Sequence, residues 1–407
     1  MTSSTVSISS PTYLPSTSSS PVITGHRGFK SKYPENTLLG FEKCFKTGAK
    51  VIETDLYLSS DNRVIISHDL NTKRVFVDSE GNETNYKITT TPYDPTLKGL
   101  KTKNGNYPLL SFVDLLKWFK NYIKDKDNSN EYKLQLDIKK FNPTKILKYL
   151  FLDLLKVHND IEWWYHRLQF GIWDLNFLKY LNQSEFFQPY FGITNEFGYF
   201  QFDIFHISVN WRDSINYINY NYYLDEIVEK ERTKIKLTGV SLIYISTWST
   251  EFLTKFIPLL KLQNLKFYSW TINNKFQFEY LIKIGKLAKL IEYGIISDYP
   301  DLIQKLKEEE AEETDVSDTE TTELKTGSSK EYYYNEDGDI KIELTFKQKL
   351  LYWLYLQFTY LNGSQKNIRL QQKLKYDLKV DENKVLENKM NPFVAWAFQT
   401  CQKYGVF

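Results

Sequence analysis

Cysteine is nearly absent from this chain: Cys44 and Cys401 are the only two among 407 residues. So few and so far apart, they build no disulfide framework, and the composition favours a reducing compartment. Long apolar runs are missing as well. None reaches the roughly 18–20 residues that a membrane-spanning helix needs. The stretch from Thr2 to Ser20 is rich in Ser, Thr and Pro but holds no arginine and no apolar centre, unlike a secretory signal or a usual transit peptide. Net charge is only +2, which leaves no global basic footprint for nucleic acid. What the chain has in plenty is aromatic: 30 Tyr and 27 Phe help bring FWY to 16%, ample material for a core.

At 407 residues the chain exceeds an average domain yet fits one α/β barrel with appendages. From 22 to about 306, short apolar runs alternate with helix-like segments. Strands are expected at 22–26, 50–56, 63–68, 133–138, 167–173, 203–209, 237–245, 265–272 and 294–297, and helices at 37–47, 111–124, 144–157, 249–262 and 276–284. Long strand–helix alternation implies a parallel sheet closed as a TIM (β/α)₈ barrel. Nine strands are one too many, and either 203–209 or 237–245 is expected to lie outside the barrel.

Composition then sets the boundaries. Residues 1–21 read as a disordered Ser/Thr-rich leader, 22–306 as the barrel, 307–340 as a disordered acidic linker and 341–407 as a hydrophobic and basic tail. In the tail, 350–361 is apolar and aromatic beside Lys347 and Lys349, 366–389 is basic, and 392–398 is apolar again around Trp396. Aromatics edged by lysine suit an interfacial anchor or a shallow hairpin on a membrane. A helix pair packed back onto the barrel is the plainer alternative. The expected location is intracellular, peripheral or monotopic on a membrane such as the mitochondrial, endoplasmic reticulum or lipid-droplet surface.

Chemistry concentrates in about forty residues. His26-Arg27, Glu53-Thr54-Asp55 and His68-Asp69 each end an apolar run. Residues i and i+2 of a strand share a side, so Glu53 and Asp55 project together toward the βα loops. Two carboxylates in one small space repel, and a hard divalent cation, Mg²⁺ or Ca²⁺, relieves that repulsion. Asp137 and Lys139 repeat the spacing on a later strand, offering a third oxygen ligand and a fixed cation for phosphate. One such pair alone is more simply a salt bridge at a barrel mouth; three acids converging with two histidines reverse that weighting. His26 and His68 suit a general acid and base near neutral pH, and Arg27 suits a clamp on phosphate oxygen. His158, His166 and His206 lie in apolar or aromatic surroundings and read as structural or surface residues.

The ordered set of motifs resembles the glycerophosphodiester phosphodiesterase family over 22 to about 306. It comprises Gly25-His26-Arg27-Gly28, Tyr33-Pro34-Glu35-Asn36-Thr37, Phe41, Ile52-Glu53-Thr54-Asp55-Leu56, Asp61 and His68-Asp69. Pro108-Leu109-Leu110, Asp137-Ile138-Lys139, Ser269-Trp270-Thr271-Ile272-Asn273 and Ile296-Ser297-Asp298-Tyr299-Pro300 follow in order. The resemblance implies a TIM barrel, a divalent cation held by Glu53, Asp55 and a third acid, acid/base work for His26 and His68, phosphate contacts for Arg27 and Lys139, and Trp270 as a substrate-site wall. The family's third acid is usually glutamate, whereas Asp137 is shorter by one methylene.

Within the family the chain is similar to fungal phosphatidylglycerol-specific phospholipases C, through Phe29, Lys30, Asp137, the Gly171-Ile172-Trp173 segment and the membrane-prone tail. The loop from 71 to 107, polar and modest, is expected to leave the mouth open to a lipid headgroup. The expected reaction is cleavage of phosphatidylglycerol to diacylglycerol and glycerol phosphate. Alternatives are action on water-soluble glycerophosphodiesters, lysophospholipase D activity, and a non-catalytic lipid-binding barrel. The last requires a missing acid/base residue or metal ligand, and none is missing.

Overall fold

A computed structural model describes residues 20–195, 198–227, 232–317, 344–361 and 376–386. Eight parallel strands run in sequence order around a closed barrel: β1 Val22–Gly25, β2 Val51–Leu58, β3 Lys133–Ile138, β4 Leu168–Ile172, β5 Asp203–Ser208, β6 Gly239–Ile243, β7 Lys266–Trp270 and β8 Tyr293–Ser297, with β1 pairing to both β8 and β2. Alternation along each strand divides the side chains. Ile52, Leu56, Leu134, Leu136 and Ile138 enter the main core, while Glu53, Asp55, Gln135 and Asp137, of opposite parity, face the barrel interior. Register sets Asp55 beside Asp137 on the neighbouring strand.

The surplus strand is neither of the two expected. Both 203–209 and 237–245 supply barrel strands; the one outside is Val64–Ile66, which pairs antiparallel with the end of β2 (Leu56 with Ile66, Leu58 with Val64). A parallel partner requires a crossover of a dozen or more residues, and only 59–63 intervene here. Ser59 closes the turn, accepting from Arg63 N at 2.9 Å and donating to Asp61 Oδ1 at 2.5 Å, while Asn62 takes a φ of 60°.

Helices surround the barrel, several of them with capped starts. Thr37 caps Leu38–Phe45, and Ser111 with Asp114 forms a capping box on Phe112–Ile123. Leu175–Gln183 and Trp211–Ile227 are helices the sequence reading missed. The second is dense in Asn and Tyr, poor helix formers, and its helical state comes from burying Tyr217, Ile218, Tyr220 and Leu224. Helix Pro300–Ser317 runs past the expected boundary at 306, supported by Lys305–Glu309 and by a Lys286–Glu310 bridge to the preceding helix.

Two further pieces frame the mouth. The polar loop after His68 is a folded lobe: Phe76–Val77 pairs with Lys101–Thr102, and Phe76, Ile88, Leu97, Leu100 and Leu109 pack with Tyr57 and Ile65 into a second core. Its apolar residues are few but converge, so a segment polar in composition still encloses a cluster. Helix Phe346–Leu361 lies against the barrel, with Tyr355 buried and its hydroxyl donating to Val209 O at 2.6 Å. Farther along, Val380 N donates to Gln183 Oε1 and Tyr376 OH to Asn216 Oδ1. The leader up to residue 19, the linker at 318–343, most of the basic stretch and 392–398 lie outside the described residues. Among those described, no helix is long and apolar enough to cross a membrane.

Candidate active site

The turn after β1 is compressed. A Cβ on Gly25 would meet Cys44 Sγ at 2.2 Å and Gly28 O at 2.3 Å, Gly28 has a φ of 85°, and Arg27, not a glycine, sits at 51°. That strained backbone turns the Arg27 N–H onto Glu53 Oε2 at 2.8 Å. The Arg27 side chain reaches both Glu35 oxygens at 3.3 Å, and its Nε lies 3.5 Å from Asp55 Oδ2. His26 is pinned at both ends, its backbone N–H donating to Ser297 O and its Nδ1 lying 2.6 Å from Asp298 Oδ1. Its Nε2 faces Glu53 at 4.0 Å.

Glu53, Asp55 and Asp137 bring oxygens within 4.8 Å of one another, all three residues buried. Lys139 Nζ bridges Asp55 Oδ1 and Asp137 Oδ2 at 2.6 Å each, and Trp173 Nε1 donates to Asp137 Oδ1 at 2.7 Å. Trp270 meets Trp173 edge-on, ring centres 6.0 Å apart, forming an aromatic wall. Burial and the charges of Asp55 and Asp137 push Glu53 well above the ordinary carboxylate range. Burial also pushes Asp55 up, but Lys139, His68 and Arg27 outweigh it and hold Asp55 well below that range. Three buried carboxylates converge here with Lys139 and Arg27 beside them, and an all-oxygen donor set of this kind fits a hard divalent cation.

His68 arrives differently, at the end of the hairpin off β2, with Nδ1 on Asp69 Oδ1 at 2.8 Å. Burial and the charge of Arg27 depress both imidazoles, His26 to about 4 and His68 to about 3, with Lys139 adding to the effect on His68. Asp298 and Asp69 oppose the depression. In both rings Nδ1 faces a carboxylate, which leaves Nε2 as the nitrogen that exchanges a proton. All eight residues read from the sequence, His26, Arg27, Glu53, Asp55, His68, Asp137, Lys139 and Trp270, gather at this one barrel mouth.

Comparison with known proteins identifies the family. A model of the glycerophosphoryl diester phosphodiesterase family matches residues 26–302. The chain belongs to that family. It is 35% identical over 99 residues to mouse glycerophosphodiester phosphodiesterase domain-containing protein 4, covering 24% of this chain and 14% of that protein. Over 47 residues it is 49% identical to a glycerophosphodiester phosphodiesterase of Bacillus altitudinis, 12% of this chain and 19% of that one. The matched stretches thus span under a fifth of either relative. Among solved structures, a glycerophosphodiester phosphodiesterase from Parabacteroides distasonis superposes with a TM-score of 0.50 at 17% identity, covering 72% of this chain and 98% of that one. A phosphodiesterase of Oleispira antarctica, solved with its product sn-glycerol-3-phosphate, scores 0.50 at 18% identity, covering 71% and 97%. At these identities the superpositions establish the shared barrel.

Several residues at this mouth carried no role in the sequence reading. Asp298 holds His26, and Asn273 holds Asp298 through its backbone N–H at 2.9 Å and Oδ2 at 3.3 Å. Asn36 donates to Asp55 Oδ2 at 2.9 Å and accepts from Thr54 at 2.8 Å. Glu35 and Asp69 anchor Arg27 and His68. A signal existed for Asp298: two residues after Ile296, it has the parity of an inward residue at the end of a strand.

Proposed function

We propose that the protein is a metal-dependent phosphodiesterase that cleaves phosphatidylglycerol in the phospholipase C manner, at a membrane surface inside the cell. The observation that carries the phosphodiesterase reading is the pair of carboxylate-backed imidazoles flanking three buried acids and an arginine at one mouth. A glycerol headgroup carries a 2-hydroxyl beside its phosphoester and so holds its own nucleophile. One histidine takes the hydroxyl proton at Nε2 as the hydroxyl oxygen bonds to phosphorus. The phosphorus–oxygen bond to diacylglycerol breaks, and the other histidine, protonated, supplies that leaving oxygen with its proton. The cyclic glycerophosphate is then opened by water to glycerol phosphate. Glu53, Asp55 and Asp137 would hold Mg²⁺ or Ca²⁺, which supplies Lewis-acid neutralisation of the phosphate charge. Arg27 and Lys139 bind nonbridging oxygens, and Trp270 walls the headgroup.

The lipid half of the proposal is supported by helix Phe346–Leu361. Its buried face meets Val209, just beyond the C-terminal end of β5, so the helix sits on the same barrel end as the site. Its other face exposes Phe346, Leu350, Trp353 and Leu354 beside Lys347. Apolar side chains edged by lysine suit an anionic bilayer surface. A second reading, a soluble glycerophosphodiesterase, is favoured by the folded lobe beside the mouth, which suits enclosure of a small substrate. Purified protein incubated with phosphatidylglycerol vesicles and Mg²⁺ or Ca²⁺ is expected to release diacylglycerol and glycerol phosphate. Cleavage of soluble glycerophosphodiesters with the lipid left intact would overturn the lipid reading and retain the phosphodiesterase.

A further inference from the structure

Arg74, in the lobe, reaches back to the site. Its Nη1 and Nη2 grip the two Glu35 oxygens at 2.8 and 2.6 Å, and its Nε donates to Asp69 Oδ2 at 2.6 Å. Each of those carboxylates has a second duty. Glu35 accepts from the Arg27 guanidinium, and Asp69 holds His68 Nδ1. One guanidinium therefore ties together the supports of the phosphate clamp and of an acid/base histidine.

We propose that Arg74 is a positioning residue for the reaction, carried into the site by the lobe. The inference rests on reading this mouth as a phosphodiesterase site. The planar guanidinium presents three N–H edges at fixed angles, enough to span Glu35 and Asp69 at once; a lysine ammonium is a point charge without that fork. Without Arg74, Glu35 would draw on Arg27 alone and pull it toward itself, away from a phosphate. Asp69 would lose its second anchor, and the His68 ring with it would be free to turn. The side chain of Arg74 is 49% exposed, so its loss opens no core cavity. The geometry it supports lies at the reacting groups, where small displacements are costly.

The full chain is tested with a divalent cation and a soluble glycerophosphodiester, so that membrane binding plays no part. Arg74→Ala and Arg74→Lys are each expected to lose about 10- to 100-fold in kcat/KM, with the thermal midpoint close to that of the parent. Free guanidinium ion should restore part of the Arg74→Ala loss and none of the Arg74→Lys loss, since the lysine occupies the space. A readout independent of turnover is the ¹⁵N NMR signature of the His68 imidazole, which should show Nδ1 protonated in the parent and a mixed tautomer in Arg74→Ala. Should Arg74→Ala fail to fold, Arg74→Lys carries the test, and full activity in that variant overturns the proposal. Activity within threefold of the parent together with an unchanged His68 tautomer overturns it as well. If the parent cleaves no phosphodiester, the functional reading falls, and the tautomer then decides the positioning role by itself.

Discussion

His26 and His68 are built alike although they come from different kinds of strand. Each offers Nδ1 to a carboxylate, Asp298 or Asp69, and leaves Nε2 for chemistry. His26→Ala and His68→Ala should each lower kcat by about 10²- to 10⁴-fold, with circular dichroism unchanged because neither ring lies in the packed layers. Activity surviving in either variant would remove that histidine from the mechanism. The acid cluster makes a second prediction. Chelation should abolish turnover and Mg²⁺ or Ca²⁺ should restore it, and the cation should raise the thermal midpoint of the parent by binding only the folded chain. Burial and the neighbouring acids already favour the neutral form of Glu53, so Glu53→Gln without cation should be at least as stable as the parent. It should also lose the cation-dependent gain, which calorimetry with and without Mg²⁺ would measure.

At the scale of elements, β2 does the most. Its eight residues outlast the barrel wall, so one strand first aims Glu53 and Asp55 inward and then turns back to deliver His68. Helix Phe112–Ile123 follows the lobe directly and is closed by the Ser111–Asp114 box. Ser111→Ala should cost about 1 kcal/mol in urea unfolding. On β5, His206 points out of the barrel onto helix Trp211–Ile227, with Nδ1 2.8 Å from Ser214 Oγ and its ring stacked on Tyr217. Burial, aided by Lys140, lowers it to about 3 from 6.5. The folded state thus holds His206 neutral while the unfolded chain protonates near 6.5. Its contribution to stability is complete above pH 6.5 and is lost as pH falls toward 3, by roughly 2 kcal/mol between pH 7 and pH 5. His206→Gln should flatten that part of the pH dependence; an unchanged slope would place the titration elsewhere.

For the whole molecule, the question is how the tail relates to the barrel. Its described part is held by specific contacts: Tyr355 to Val209, Tyr376 to Asn216, Val380 to Gln183 and Glu382 to both Lys145 N and Tyr180. Truncation after Ser317, the end of the last barrel helix, should leave the barrel folded, because the core clusters around the strands are dominated by residues before that point. It should lower the thermal midpoint by a few degrees through exposure of the surface under Tyr355. On the proposed function, it should also abolish sedimentation with phosphatidylglycerol vesicles while sparing turnover of a soluble diester. A truncated barrel that still sediments would refute the tail as the membrane contact.

The sequence by itself determined the barrel and the chemical parts of the site. Strand–helix alternation is a local pattern, and the i, i+2 spacing of Glu53 with Asp55 and of Asp137 with Lys139 follows from strand geometry alone. The reacting groups were legible because each ends an apolar run, where side-chain type is set by chemistry and not by packing. Tertiary structure decided what depended on partners distant in the chain. Asp298 lies 272 residues from the histidine it holds, and Arg74 lies 39 residues from Glu35; no local pattern links either pair. Which strand left the barrel was likewise a matter of the length available for a crossover. The lobe's fold depended on a few apolar side chains finding one another, a convergence that average polarity conceals.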